Sequence, residues 1–271
     1  MQLDLKDKVV IVTGASRGIG RATACEFARS GSKVVLAARD VDALRQTEYT
    51  IQSFGGQALV VPTDIQNAEQ VRNLVAKTLD HWEQIDVLVN NAGITHCGPL
   101  LDMKIEQIRD VVETNLMGTV WCIKEVLPHF RTRRQGHIVN VSSVLGKRGV
   151  PNQAVYAATK FALIGLTEAI RCEAASYNVS ITSFCPSSTT TEMNRQVSVQ
   201  DHPLKDFVRK RFISAPEAVA RQIVKATRLR RREVVVSFPA NMIVRINQCW
   251  PQLLDWLFIR MDKPSEERAR S

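Results

Sequence analysis

The chain lacks any close pair of cysteines. Its six, Cys25, Cys97, Cys122, Cys172, Cys185 and Cys249, are scattered through 271 residues with no Cys-x-x-Cys spacing. That excludes a disulfide scaffold and a redox dithiol, and fits reduced, mostly buried thiols in a cytoplasmic protein. The histidines are few and unclustered (His81, His96, His129, His137, His202), so no metal site is expected. No uncharged apolar run approaches the roughly 18 residues that would span a bilayer. The opening run Met1-Gln2-Leu3-Asp4-Leu5-Lys6-Asp7-Lys8 is too charged for a secretory signal. Internal repeats and low-complexity linkers are also missing, which excludes solenoids and disordered arrays.

What remains is a chain with 45% hydrophobic residues, ample for a core, and an alternation of strand-like and helix-like segments up to residue 237. Such alternation predicts one α/β domain, a parallel sheet covered by helices on both faces. The first strand reads Lys-Val-Val-Ile-Val-Thr from Lys8 to Thr13, and the sequence Gly14-Ala15-Ser16-Arg17-Gly18-Ile19-Gly20 follows before a helical stretch. Glycines at 14, 18 and 20 permit a tight turn and a close backbone approach to a pyrophosphate. The helix start supplies free N–H groups and a positive dipole end.

A dinucleotide site of this type often carries an acidic residue at the end of the second strand, which binds the 2′-hydroxyl of NAD. Here Lys33–Ala38 ends without one, and Arg39 follows. With Arg17 in the glycine turn, two guanidiniums suit a 2′-phosphate, which argues for NADP(H). The third strand, Ala58–Pro62, leads to Asp64, placed to accept from an adenine amino group. The fourth, Asp86–Val89, runs into Asn90-Asn91-Ala92-Gly93, small enough for a cofactor to lie against the backbone.

Tyr156 and Lys160 stand four residues apart, so on a helix they share one face. A phenol with its ordinary pKa of about 10 is a poor base at neutral pH. A cation beside it favours the phenolate. Ser143, at the end of the fifth strand, can hydrogen-bond a carbonyl or alcohol oxygen. Together these groups suit proton exchange at a substrate oxygen while a hydride moves at carbon.

The set Thr13–Gly20, Asp64, Asn90–Gly93, Asn115, Ser143, Tyr156 and Lys160 occurs in the order and spacing of the short-chain dehydrogenase/reductase family, which the chain strongly resembles over about residues 5–237. The resemblance implies a single doubly wound Rossmann domain with a seven-stranded parallel sheet (residues 1–238); the C-terminal helical extension (239–271) lies beyond it and is read from its own spacing. It implies Tyr156 as general acid or base, Lys160 on the nicotinamide ribose lowering the tyrosine pKa, and Ser143 orienting the carbonyl. It further implies Asn115 holding a relay water. Gly14, Ser16, Arg17, Gly18, Ile19, Gly20, Arg39, Asp64, Asn90, Ala92, Gly93, Tyr156, Lys160, Thr189 and Thr191 would bind NADP(H). Family members are commonly homodimers or homotetramers. One departure is visible: Ser187 follows Pro186 where the family usually has glycine, so the loop carrying Thr189 and Thr191 is expected to run differently.

The substrate implied is a small apolar carbonyl or alcohol: a lipid-derived ketone, a steroid-like or isoprenoid carbonyl, or a 3-oxoacyl thioester. Val144, Leu145, Val150 and Thr95 would lie near it. A lid from Ser187 to Phe212 would add Met193, Val197, Val199, Leu204, Phe207 and Val208. Lys147 and Arg148 are basic groups that a phosphopantetheine carrier could use. The alternative of another class is an NADPH-binding regulator or scaffold without turnover, whose usual signature is loss of Tyr156 or Lys160; both are present.

Charge is concentrated late. From Lys205 onward fifteen Lys and Arg stand against seven Asp and Glu, which is +8 of the total +9. In the extension, Trp250, Leu253, Leu254, Leu257, Phe258 and Met261 recur at helical spacing, with Pro251 at the first turn. This stripe admits packing on the chain's own body, a subunit interface, or peripheral docking on an anionic membrane. No nucleic-acid motif accompanies the basic clusters.

Overall fold

A computed structural model describes residues 2–187, 189 and 214–262. Thr191, the proposed lid residues from Met193 to Phe212, the basic run Arg209–Arg211 and residues 263–271 lie outside them. Seven parallel strands form one sheet in the order β3-β2-β1-β4-β5-β6-β7. They are β1 (Val9–Thr13), β2 (Lys33–Ala38), β3 (Gln57–Pro62), β4 (Val87–Asn90), β5 (Gly136–Val141), β6 (Val179–Cys185) and β7 (Glu233–Val235). The order reverses between β1 and β4, so a crevice opens at the carboxyl ends of those two strands.

The strands are apolar on both faces because both are covered. Val10, Val12, Val34 and Leu36 face α1 (Gly18–Arg29), α2 (Val41–Gln52) and α7 (Pro216–Arg228), where Phe27, Leu44 and Ile223 complete one core. Val9, Ile11, Val35 and Leu88 point the other way. They meet α3 (Ala68–Trp82) and α5 (Gly118–Arg133) through Leu74, Ile123 and Phe130. The period-two alternation of strand side chains thus feeds two cores from one sheet. Between α4 (Ile105–Val112) and α5 the helix widens into a π-turn, Glu113–Met117.

Asp86 ends just before β4 rather than opening it. Its carboxylate is buried, accepts from Val9 N at 2.9 Å, and lies 3.3 Å from Arg133 and 3.7 Å from Lys8. It locks the start of β1 to α5 from below the sheet. Three cysteines are buried and three exposed, fewer buried than composition suggested.

The C-terminal extension is helical as expected, with one helix more than its spacing marked. The segment around Met242–Ile246 is part of a full helix, α8 (Phe238–Cys249), and α9 (Pro251–Asp262) follows as predicted from its spacing. The two helices form a hairpin. Of the stripe, Leu254 is buried, while Trp250, Leu253 and Leu257 are exposed and Trp250 is 70% so; Trp256 beside it is exposed too. No helix among the described residues is long and apolar enough to cross a membrane.

Candidate active site

The glycine turn joins β1 to α1. Gly14 and Gly18 have φ of +66° and +54°, values that favour glycine. Gly20 needs no positive φ, but a Cβ there would sit 2.0 Å from the Gly14 carbonyl oxygen. Two glycines therefore set the turn and the third lets the helix approach it. Thr13 Oγ1 accepts from the backbone N–H groups of Asn91 and Ala92, at 3.0 and 3.1 Å, while Asn91 Nδ2 donates to Thr13 O at 3.0 Å. This stitches the turn to the end of β4. Arg17 is the N-cap residue of α1 and provides no side-chain cap, and the first turn carries no acidic residue. By contrast α2 and α3 are capped by Asp40 and Asn67. The uncapped N–H groups of α1 fit an anion such as a pyrophosphate.

Ala15 N donates to Ala37 O, which places the turn beside the end of β2. Arg39, 64% exposed, lies there with its guanidinium 4.0 Å from Asp64. Asp64 accepts from Gln66 N at 3.1 Å. Ser16 and Arg17 lie in the turn itself, while Ile19 is the second residue of α1 and packs against the core.

Across the crevice, α6 (Ala154–Ala174) carries Tyr156 and Lys160 on one face. Lys160 is buried and donates to Val141 O at 3.0 Å; its Nζ lies 5.5 Å from the centre of the Tyr156 ring. Ser143 ends the strand segment after β5 and accepts from Leu145 N at 3.1 Å. Gly93 completes the floor, since a Cβ there would come within 3.5 Å of Lys160 Nζ. Asn115, in the π-turn, is fully buried. Its Oδ1 accepts from Ile94 N at 2.8 Å and its Nδ2 donates to Ile94 O at 2.9 Å. Both ends of its amide are thus spent fixing the chain after Gly93. Asn90 donates to Asn140 Oδ1 at 2.9 Å, and its own Oδ1 is buried without a partner among the described residues.

The electrostatics run opposite to the expected depression of the phenol. Burial pushes Tyr156 up to about 12, with the Ser143 hydroxyl pulling it partly back. Burial also brings Lys160 down to about 8. The ammonium faces the ring and Val141 O, and desolvation outweighs it. For Lys160 the folded pKa lies below its ordinary 10.5, so between pH 8 and 10.5 the unfolded chain holds the proton more tightly. Stability then rises with pH through that window, as the burden of burying a charged lysine is lifted. Over the whole window the gain is on the order of 3 kcal/mol, of which about 2 kcal/mol falls between pH 7.5 and 9.5. Lys160→Met should abolish that rise in a denaturant titration at pH 7.5 and 9.5. An equal rise in both proteins would contradict the assignment.

Thr189 is buried and paired with Ser214 in an isolated bridge; its Oγ1 donates to Ser187 O at 3.2 Å. Ser187 is not among the residues of positive φ, so the chain passes this point without the conformation glycine would supply. Lys147 and Arg148 are not free at the cleft mouth. Lys147 pairs with Glu233 at 3.0 Å, and Arg148 is held by Asn247 and Asp255.

A doubly wound sheet with an anion-ready helix start at its switch point, facing a buried Tyr-x-x-x-Lys helix, defines a nicotinamide-dependent oxidoreductase of Rossmann type. Comparison with known proteins agrees. The family model described as short chain dehydrogenase matches residues 8–202. The chain is 39% identical over 217 residues to a 3-oxoacyl-[acyl-carrier-protein] reductase of Synechocystis, covering 80% of this chain and 87% of that one. It is 36% identical over 234 residues to the ketoacyl reductase HetN of Nostoc, covering 86% of this chain and 79% of that one. A crystal structure of a short-chain dehydrogenase/reductase from Burkholderia phymatum in complex with NAD superposes with a TM-score of 0.83 at 27% identity, over 93% of this chain and 96% of that one. The chain belongs to the short-chain dehydrogenase family.

Proposed function

We propose that this oxidoreductase reduces the carbonyl of an apolar substrate with NADPH, with Tyr156 as the proton donor. The observation that carries the reading is the meeting of Ser143, Tyr156 and Lys160 at the crevice that the glycine turn faces. When bound, the dinucleotide supplies hydride to the carbonyl carbon. Ser143 donates a hydrogen bond to the carbonyl oxygen and orients it. The phenol of Tyr156, kept protonated by burial, gives its proton to that oxygen as negative charge grows there. Lys160 donates toward the cofactor ribose and holds positive charge beside the ring. Asn115, whose amide is engaged by Ile94 and Thr159, serves the proton path by fixing the chain after Gly93 beside Lys160.

Gly14, Ser16, Arg17, Gly18, Ile19 and Gly20 hold the pyrophosphate side of NADP(H). Asp64 takes the adenine amino group, and Asn90, Ala92, Gly93 and Thr189 line the rest; Thr191, outside the described residues, is assigned to the cofactor on the family resemblance alone. Arg39, with Arg17, takes the 2′-phosphate; its exposed guanidinium, only loosely paired with Asp64, supports this over NAD. Arg39→Asp should weaken NADPH binding by about a hundredfold and NADH binding far less. Titration of protein fluorescence with each cofactor measures both, and equal losses refute the preference.

Relatives named as 3-oxoacyl-[acyl-carrier-protein] and ketoacyl reductases support a 3-oxoacyl thioester as substrate. Any recognition of a carrier phosphate must come from groups other than Lys147 and Arg148, whose charges are spent within the chain. The enzyme would work as a homodimer or homotetramer in the cytoplasm. The outward-facing tryptophans of the extension and its arginines support peripheral contact with an anionic membrane surface. The protein should therefore sediment with phosphatidylserine vesicles and not with neutral ones. Replacing Trp250 and Trp256 by Ser should release it.

A further inference from the structure

The loop that joins Ser143 to the helix of Tyr156 spans residues 144–153 and includes Gly146 and Gly149. Its only internal structure is a 3-10 turn, Val144–Gly146. Both ends are tied to the body. At the Ser143 end, Val144 N donates to Pro186 O at 3.1 Å. At the α6 end, Gly98 N donates to Asn152 O at 2.9 Å and Thr95 Oγ1 donates to Gln153 Oε1 at 3.2 Å. Its middle is held by the C-terminal hairpin.

Arg148 reaches across that junction. Its Nη1 donates to Asn247 Oδ1 at 2.9 Å, its Nη2 pairs with Asp255, and its guanidinium lies over the ring of Phe258, 5.3 Å from the ring centre. Asn247 answers with its Nδ2, donating to Lys147 O at 3.1 Å. One asparagine of α8 therefore grips two successive loop residues. The Arg148 side chain is only 15% exposed and its Nε is buried without a partner among the described residues. Burying a guanidinium is costly unless its partners are fixed, so this joint is specific in geometry. A groove of about 710 Å³ runs beside it, between Val150 and Pro151 of the loop, Phe161 of α6, and Phe258 and Ile259 of α9.

We propose that Arg148 is a positioning residue: by clasping the C-terminal hairpin to this loop it fixes Ser143 relative to Tyr156, so the extension is a working part of the active site. Arg148 has its guanidinium engaged by Asn247, Asp255 and Phe258 and acts through the loop backbone. The catalytic part of the inference rests on the functional reading above; the clasp itself does not.

The test is Arg148→Met, which keeps an apolar stem and removes the paired head, on the full chain. Hydrogen exchange of the 144–153 amides should speed by about tenfold or more, with residues 14–20 unchanged. Turnover should fall by about ten- to a hundredfold with KM for NADPH unchanged, since a misplacement near 1 Å costs that much. Combined with Ser143→Ala, the two losses should be far from additive, because both act through one hydroxyl. Unchanged loop exchange would overturn the clasp. Faster exchange with unaltered turnover, or additive losses, would reduce Arg148 to a structural anchor and overturn the positioning role. If Ser143→Ala and Tyr156→Phe both leave turnover intact, the functional reading fails, and with it the positioning of a catalytic hydroxyl. The exchange result still decides the clasp.

Discussion

Tyr156→Phe should abolish turnover, lowering kcat by about a thousandfold or more, while NADPH still binds and the fold is kept. The substitution removes one hydroxyl and leaves the ring that Lys160 Nζ faces at 5.5 Å. Packing of α6 is therefore untouched, and the stability change should stay within about 1 kcal/mol. What is lost is the proton donor. General acid catalysis contributes roughly 10² to 10⁴ in rate. The other acidic group at Ser143 among the described residues is the Cys185 thiol, whose pKa is raised by burial, which makes it a poor substitute. The buried phenol is pushed up to about 12, so it remains protonated throughout the neutral range and ready to donate. Reduction should accordingly be flat from pH 6 to about 7 and fall as Lys160 loses its charge near 8, whereas oxidation of the alcohol, which needs the phenolate, should not follow that fall. The measurement is NADPH consumption against 3-oxoacyl thioesters and lipophilic ketones. A variant that keeps its turnover would remove Tyr156 from the chemistry. A wild-type chain that binds NADPH tightly but turns over none of these would instead favour the regulator reading.

The strands were legible because their cause is local. Runs such as Val9–Thr13 and Lys33–Ala38 are β-branched and continuous, which is what a strand buried on both faces requires. The glycine turn was legible because positive φ at Gly14 and Gly18 and the close approach at Gly20 constrain residue type there. Helical spacing put Tyr156 and Lys160 on one face, and the glycine turn before them together with the family pattern singled the pair out. Three features were hidden, each resting on contacts between residues far apart in sequence. The role of Asp86 depends on Val9, Lys8 and Arg133 converging on it, and no local pattern marks that. The direction of the Tyr156 shift depends on how much water the folded site excludes, which spacing does not reveal. Lys147 and Arg148 read as free basic groups, yet their partners lie 86 to 107 residues away. The apolar stripe of α9 was found by its period, but periodicity does not say which neighbour it meets. One leucine, Leu254, faces the body and most of the rest faces outward.

The second large effect is expected at Gly20, where the argument is steric. A Cβ added there would meet the Gly14 carbonyl oxygen at 2.0 Å, Asn91 Nδ2 at 2.5 Å and the Gly14 carbonyl carbon at 2.7 Å. Two of these atoms are backbone, so no rotamer change can relieve the clash. Either the first turn of α1 moves away from the glycine turn, or Gly14 leaves its φ of +66°. Either movement breaks the stitch between Thr13 and Asn91 and misaims the N–H groups that suit a pyrophosphate. Gly20→Ala should destabilise the fold by about 1–3 kcal/mol, the usual range for overpacking, and weaken NADPH by about a hundredfold, near 3 kcal/mol of binding. Gly165→Ala is the matched control. That glycine lies inside α6, a Cβ added to it would meet nothing within 4 Å, and it does not carry a positive φ. There the same methyl should stabilise by about 0.5–1 kcal/mol, because alanine favours a helix interior and restricts the unfolded chain. Denaturant midpoints and fluorescence titrations of both variants decide the matter. If Gly20→Ala matched Gly165→Ala in stability and cofactor affinity, the close approach of α1 to the turn would not be what the third glycine is for.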